Sequence, residues 1–471
     1  MKENELSLSK KLVLYFIGNF STKIIGTILI PIYALYVEPA DLGDMDLQQN
    51  IAAIVAPIIV LGIWEALLKF GLGENIDKKN QILSTTIYFT VPICIFISII
   101  LFPIYILVYE DFLLSVLYTL LIASTPLLSL FQYITRMYGE NVIFIKSSVY
   151  ASFVRFLIIL VLVVNLKLGL IGLMSALVCS QLFTIFFIEI KLGIHKLISK
   201  ELIDKKLLKS MLKFSFPLSV NLVSLWFLSG FTRVYINFEY GSEANGIYSF
   251  GAQCASIVAM VGQIFNMATL EDTLLSNKNE FIKKFEYQSN NLFIIFLDLS
   301  SLILPLVSVF FILIEKTQYS EAYIYIPILV LNSIIVSVAS NLNNAFQYSG
   351  ETRIVFVTTI ISAIVNVALA VVLSSFINIK GIILAQLIGS FCLFILRMVF
   401  VKMRIHYKIY FKSLLLSFFI FLMVSLLTIK MNLKINIILF IVLFFILLYK
   451  QRIILRIIFK KIITIVPKKK R

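Results

Sequence analysis

ILSTTIYFTVPICIFISIILFPIYILVY, from Ile82 to Tyr109, is an unbroken run with no charged side chain. As a helix rising 1.5 Å per residue it would be about 42 Å long, more than the ~30 Å of hydrocarbon in a bilayer. A helix that is apolar on every face over this length has nothing to turn toward water, so lipid is its natural surrounding. Comparable runs lie on both sides of it. They are Leu12 to Val37, Leu47 to Leu68, Phe112 to Tyr133, Ser147 to Leu166 and Leu168 to Ile190, then Met211 to Phe238, Ile247 to Leu270, Asn291 to Ile314 and Ala322 to Ala345. The last four are Ile354 to Phe376, Gly381 to Phe400, Tyr410 to Ile429 and Ile435 to Tyr449. With Ile82 to Tyr109 they predict an all-α integral membrane protein of about 14 transmembrane helices.

Composition agrees. Hydrophobic residues make up 60% of the 471 and charged residues only 14%, about half the charged fraction of an ordinary soluble domain. The longest polar stretch, Lys191 to Ser210, is too short to be a soluble domain. The first apolar run is too long for a cleavable signal peptide and has no small-residue cleavage site. A net charge of +16 would suggest nucleic acid on a soluble protein. Here it follows from loop bias, and no nucleic-acid partner is expected. With the N-terminus inside, the cytoplasmic segments hold 33 of the 41 Lys and Arg, the outside loops 5 and the spans 3. Glu38, Asp41, Asp44, Asp46, Glu239 and Glu243 fall outside. Losing one span would invert every later loop, so both termini are expected in the cytoplasm of a multi-pass protein. Beyond Tyr449, Arg452, Arg456 and Lys460 recur every four residues, which suits a helix lying on the anionic inner surface or a basic end that only fixes topology. Cys94, Cys179, Cys254 and Cys392 sit far apart inside apolar runs and read as packed hydrophobes.

The chain also repeats itself. Shifted by 203 residues, Pro39 to Val55 (PADLGDMDLQQNIAAIV) falls on Ser242 to Val258 (SEANGIYSFGAQCASIV), matching Gly43 with Gly246, Ala52 with Ala255 and Val55 with Val258. Phe131-Gln132-Tyr133 with Gly139-Glu140 echoes Phe346-Gln347-Tyr348 with Gly350-Glu351, and Gly172 with Ala176 echoes Gly381 with Ala385. Six spans per copy is an even number, so the copies share one orientation and are related by an axis along the membrane normal. This predicts an N-lobe (1–190), a C-lobe (191–407), an appended helix pair (408–449) and a basic tail (450–471). Two such lobes enclose a cavity and can rock to expose it to either side.

Phe214-Ser215-Phe216-Pro217-Leu218, then Thr232-Arg233-Val234-Tyr235-Ile236, then Gly246-Ile247-Tyr248-Ser249 follow the order of a known pattern: a Pro-opened helix, an Asp-Arg pair and a Gly-x-Tyr-Ser helix start. With Glu38 to Gly43 and Asn366 followed by Gly381 and Ala385, they resemble the oligosaccharide-repeat flippases. These form the polysaccharide-export branch of the multidrug/oligosaccharidyl-lipid/polysaccharide exporter superfamily. Thr232 stands where that family often has Asp. The resemblance implies a non-enzymatic transporter of the bacterial cytoplasmic membrane with two six-helix lobes around a cationic cavity. It would carry undecaprenyl-diphosphate-linked oligosaccharide from the inner to the outer leaflet for O-antigen, capsule or teichoic-acid assembly. The last two helices can offer a groove for the lipid tail in such members; an H+ or Na+ gradient or the membrane potential would give direction with no other cofactor, and polysaccharide polymerase machinery is a candidate partner.

A diphosphate cannot cross hydrocarbon bare, so cations in a water-accessible cavity are what the chemistry asks for. Lys23 is about 16 Å into the first span and Arg155 roughly 13 Å past Lys146 in the fifth. Lys23 either lines the cavity or snorkels. Arg155 either grips phosphate through paired hydrogen bonds or makes a structural pair. Arg233 lies near the acidic outer loop and either snorkels there or serves the cavity. Asp298 has no charged residue at helical spacing and suits a coupling ion or a counter-charge to Arg155 or Arg233. Glu65 suits the same ion or an i,i+4 pair with Lys69. Arg136 and Arg397 read as inner-edge residues. Amides within the spans (Asn19, Asn221, Gln253, Gln263, Asn266, Asn366, Gln386) can serve sugars or helix packing.

Other readings fit less well. Asp44-Met45-Asp46 spells the Asp-x-Asp metal pattern of glycosyltransferases, but in a short outer loop with no catalytic domain behind it. A polymerase would want a large outer loop. His195 and His406 lie in cytoplasmic loops and suggest no metal site. A multidrug antiporter usually has twelve helices and an acidic cavity. A lipid II flippase is hard to separate from sequence, since it carries the same diphosphate.

Overall fold

The computed structural model describes residues 8–274, 278–349, 351–405, 410–428 and 432–450. Among them every regular element is helical, and the helices form fourteen rods. These are α1 (Leu8–Tyr36), α2 (Pro39–Ile59 with Trp64–Gly71), α3 (Ile76–Tyr109), α4 (Phe112–Met137), α5 (Asn141–Ile158, running on as a π-helix Ile159–Asn165) and α6 (Gly169–Leu192). In the second half come α7 (Lys205–Ser229, continuing to residue 240), α8 (242–274), α9 (Lys278–Leu313), α10 (Ile326–Ser349), α11 (352–376) and α12 (379–405). The chain ends in α13 (Phe411–Thr428) and α14 (Leu433–Lys450). Among the described residues nine stretches are by themselves long and apolar enough to cross a membrane, and the bent α2 makes a tenth. One of the nine, Arg353–Arg404, contains both α11 and α12, which part at Ile377–Asn378. The tail carrying Arg452, Arg456 and Lys460 lies outside the described residues, as does His406.

The second span departs from the expected continuous helix. It starts at Pro39 rather than Leu47, with extended Glu38 before it and proline at its first position, where a missing N–H costs nothing. The acidic stretch expected as a loop is therefore its first turns. It then bends by 50°. Pro57 removes one ladder hydrogen bond, and Leu61 and Gly62 take left-handed backbone (φ 51° and 57°).

The matched glycines make matched contacts. A Cβ on Gly43 would lie 1.9 Å from the Ser242 carbonyl oxygen, and one on Gly246 would lie 1.7 Å from that of Pro39. Ser242 is the mate of Pro39 in the repeat, so α2 and α8 touch backbone to backbone in reciprocal fashion across the pseudo-two-fold axis. Only glycine permits that approach in a membrane, where small residues replace the hydrophobic drive between helices. Gly172 packs on Leu162 and Val163, and Gly381 on Leu373 and Ser374, closing the α5–α6 and α11–α12 hairpins alike. Both inner turns end the same way too. Glu140 N–H donates to the Thr135 carbonyl (2.8 Å) and Glu351 N–H to that of Phe346 (2.9 Å).

The appended pair is bound to the C-lobe along the length of α9. Lys450 Nζ donates to Asp298 Oδ1 (2.8 Å) and Ser417 Oγ (2.6 Å), and Asn436 Nδ2 donates to Ser308 Oγ (2.8 Å). Tyr323, in the turn before α10, donates its hydroxyl to the Thr428 carbonyl (2.6 Å). Asp298 thus has a counter-charge that helical spacing could not reveal, and it is Lys450 rather than Arg155 or Arg233.

Arg397 is a second correction. Expected at the inner edge, it is 1% exposed in the C-lobe interior. Its guanidinium donates to the Ala339 carbonyl (2.8 Å), Thr359 Oγ1 (3.1 Å) and Thr358 Oγ1 (3.4 Å), tying α10, α11 and α12 together through neutral acceptors.

Candidate functional site

The two ends of the bundle differ in charge. The end carrying Glu38, Asp41, Asp44 and Glu239 is the acidic end, and the one carrying Lys78, Lys79, Lys205 and Lys206 the basic end. At mid-height between the lobes, α1 and α8 enclose a cavity of about 300 Å³. Thr22, Lys23, Gly26 and Thr27 line it from α1, and Gln253, Ser256 and Met260 from α8. Lys23 is exposed to it and has no carboxylate within ion-pair distance among the described residues. Gly26 leaves open space beside it. An ammonium on one wall and an amide and a hydroxyl on the other can hold an anion in water-filled space, at far lower cost than in lipid.

Arg155 belongs to the N-lobe as well. Its Nη2 approaches Met45 Sδ at 3.9 Å, and its buried Nε has no hydrogen-bond partner. A thioether is a weak acceptor, so this guanidinium keeps most of its capacity for an anion. Arg155 is thus beside Met45 and does not line the Lys23 cavity, and among the described residues neither of these two intramembrane cations has a carboxylate within ion-pair distance.

Arg233 is engaged. Its Nη1 donates to Asp46 Oδ1 at 2.9 Å, across the lobe interface. Asp46 is 5% exposed and also accepts from Ser249 Oγ (2.7 Å) and Asn50 Nδ2 (3.3 Å). Ser249 is the position onto which Asp46 falls in the repeat. Ser242 donates to Asp44, Asn245 Nδ2 donates to the Gly43 carbonyl (2.8 Å), and Trp226 Nε1 donates to the Asn50 carbonyl (2.9 Å). Together these bonds shut the bundle at its acidic end, at the close approach of α2 and α8 and in the turns just inside it. Both acids of Asp44-Met45-Asp46 are spent on this seal. The acid missing at Thr232 is supplied by Asp46 of the other lobe.

Neither carboxylate expected to handle an ion lines the Lys23 cavity. Asp298 is with Lys450. Glu65 lies toward the basic end, where Tyr133 donates its hydroxyl to Oε1 (2.6 Å) and Arg136 stacks over the Tyr133 ring (5.1 Å). The pair with Lys69 is not formed, because Lys69 turns outward. Of the amides, Gln253 faces the cavity, Asn366 donates to the Phe227 and Leu228 carbonyls (3.0 and 3.4 Å), and Gln386 accepts from Tyr248 (2.9 Å). The side chains of Asn19, Gln263 and Asn266 lie outside the described residues. Sequence reasoning misses Asp46, Ser249, Asn50 and Trp226 as a group. The repeat holds the signal for one contact among them, since it pairs Asp46 with Ser249.

Known structures share this fold. Lipid II flippase MurJ in an inward closed conformation superposes with a TM-score of 0.68 at 15% identity, over 93% of this chain and 99% of that one. A multidrug resistance MATE family transporter of the MOP superfamily superposes in its inward-facing conformation with a TM-score of 0.61 at 17% identity, over 84% of this chain and 94% of that one. The outward-facing conformation of such a transporter gives 0.53 at 16% identity, over 84% and 96%. Among proteins of curated function none matches the sequence. The family model described as polysaccharide biosynthesis protein matches residues 8–270, more than half of the chain. The chain is thus a multi-pass membrane protein that shares the fold of these structures, and it belongs to the polysaccharide biosynthesis protein family.

Proposed function

We propose that this protein is a flippase for undecaprenyl-diphosphate-linked oligosaccharide, taking it from the inner to the outer leaflet of a bacterial cytoplasmic membrane for surface polysaccharide assembly. The observation that carries this reading is the inter-lobe cavity with an unpaired Lys23 on its wall. A cavity for cationic drugs would present carboxylates there.

In this reading the basic end and both termini face the cytoplasm and the acidic end faces outward. The lobes are residues 1–190 and 191–407. The headgroup enters from the inner leaflet, and Lys23 and Arg155 neutralise the diphosphate while Gln253, Ser256 and Thr22 meet sugar hydroxyls. The tail stays in lipid, against α13 and α14. Rocking of the lobes breaks the seal and presents the headgroup outside, where Arg233 joins the set. H+, Na+ or the membrane potential supplies direction. Glu65 is the better-placed carboxylate for an ion, because Asp298 already holds Lys450. Polymerase machinery would take up the product.

The test is a flipping assay in liposomes with fluorescent undecaprenyl-diphosphate oligosaccharide, scored by quenching from outside. The parent should move the lipid. Lys23→Ala and Arg155→Ala should lower the rate at least about tenfold, the loss expected for a charge-assisted hydrogen bond worth about 1.5–3 kcal/mol. A parent that leaves the lipid in place but extrudes a cationic dye would overturn the reading.

A further inference from the structure

Among the described residues the seal at the acidic end carries one charge pair, not two. In the alignment of the two copies Asp46 meets Ser249 and Arg233 meets Ile30, so the second lobe supplies no matching pair. Arg233 rides on α7 of the C-lobe and Asp46 on α2 of the N-lobe. Any motion that parts the lobes at this end must pull them from 2.9 Å to separation. Asp46 keeps Asn50 of its own helix as a donor. The described contacts give Arg233 no carboxylate of its own lobe. Opening an empty carrier would therefore take from the guanidinium its one carboxylate partner and leave it the Tyr248 hydroxyl of its own lobe, a neutral acceptor that does not balance the charge.

We propose that Asp46 is the gating counter-ion of the cycle: it holds Arg233 while the acidic end is shut, and the diphosphate of the lipid-linked load replaces it as the lobes part. This rests on the flippase reading above and adds a positioning residue to it. The exchange makes opening conditional on cargo. A ligand shifts an equilibrium only by its differential affinity for the two states, and an anion that binds Arg233 only after Asp46 leaves has that difference built in. A neutral prenyl lipid has nothing to offer the arginine. The lock is thus a selectivity element as well as a seal.

The experiment uses the full chain in liposomes with Cys94, Cys179, Cys254 and Cys392 replaced by alanine and, as reporter, Thr27→Cys on the wall of the inter-lobe cavity, away from the seal. A membrane-impermeant maleimide is added outside. Asp46→Asn and Arg233→Gln should raise the labelling rate roughly tenfold, the response to a loss of about 1.4 kcal/mol from the closed state. Asp46→Glu, and the exchanged pair Asp46→Arg with Arg233→Asp, should stay within about threefold of the parent, which shows that the single changes act through charge and not through misfolding. Farnesyl diphosphate added outside should raise labelling of the parent but not of Arg233→Gln, and farnesol should do nothing. Parent-like labelling of Asp46→Asn, an unresponsive parent, or an equal response to farnesol would refute the exchange. Labelling that behaves as expected in a protein that moves no lipid-linked sugar would leave the exchange standing and overturn the substrate reading.

Discussion

Alanine at Gly43 should open the acidic end. The new methyl would sit 1.9 Å from the Ser242 carbonyl oxygen and 2.8 Å from the Gly246 nitrogen, both backbone atoms that cannot swing aside. Ordinary contact needs close to ~3.5 Å, so α2 and α8 must separate by roughly 1.5 Å at this point. That displacement would stretch the Asn245 bond to the Gly43 carbonyl, now 2.8 Å, and the Ser249 bond to Asp46, now 2.7 Å, beyond hydrogen-bond range. Overpacking of this kind costs about 1–3 kcal/mol, enough to shift the closed population some 5- to 150-fold. The assay is cross-linking of Asp44→Cys with Ser242→Cys in a background lacking the native cysteines, because those two side chains touch only when the end is shut. Gly43→Ala and Gly246→Ala should each slow the cross-link by about an order of magnitude. Gly26→Ala is the control. Nothing lies within 4 Å of its Cβ, and alanine is the better helix former by about 1 kcal/mol, so melting should hold or rise. Equal cross-linking in all three variants would refute the glycine-dependent approach.

Other perturbations separate structural from transport roles. Arg397→Met should melt at or above the parent in detergent, since it deletes a buried charge with only neutral partners, whereas Arg397→Lys should melt lower because one ammonium cannot reach acceptors on two helices. Lys450→Met should destabilise more than Asp298→Asn, because it takes an ammonium from a carboxylate that is 2% exposed, whereas the lysine, at 24%, can reach water. The double change should recover part of the loss by thermal melting. Asp298→Asn that stays folded but loses only gradient-driven transport would return this acid to the coupling role. Asp204 caps α7 through the N–H groups of Leu207 and Lys206, whose bonds hold its carboxyl below the usual carboxylate range. A depressed folded value stabilises above the unfolded one and is lost as pH falls through the folded one. Asp204→Ala should therefore speed trypsin cleavage near Lys205 at neutral pH, and the melting difference from the parent, followed down in pH, should shrink only in strong acid.

How much of this can be read from the letters depends on the range of the interaction. Span number and the two-lobe plan are written locally, in run length and in glycines whose mates recur in the second half. The bend of α2 is partly legible in Pro57 and Gly62, but the apolar run continues through it and hides it. Asp298 defeats a reading by spacing because its partner lies 152 residues away in the last helix. Arg397 does so because distance from a span's end says nothing of which way a side chain turns. Asp46 is masked because an acidic stretch beside a span resembles topology bias, and only the fold brings Arg233 to it. Lys23 is legible by depth alone: a lysine midway along a span needs water or a partner, and the cavity between α1 and α8 provides the water-accessible space.

The fastening of α13 and α14 has a mechanical consequence. Held at Asp298, Ser308 and Tyr323, the pair is fastened to the C-lobe and in the proposed cycle would travel with it, whereas Lys23 and Arg155 would travel with the N-lobe. A load gripped at its head by one lobe and lying with its tail along the other would bridge a working joint. The slack between first sugar phosphate and first isoprene would then act like the length of a crankshaft rod. Too short a tether would stall the stroke, and too long a one would let the lobes swing without carrying the load across.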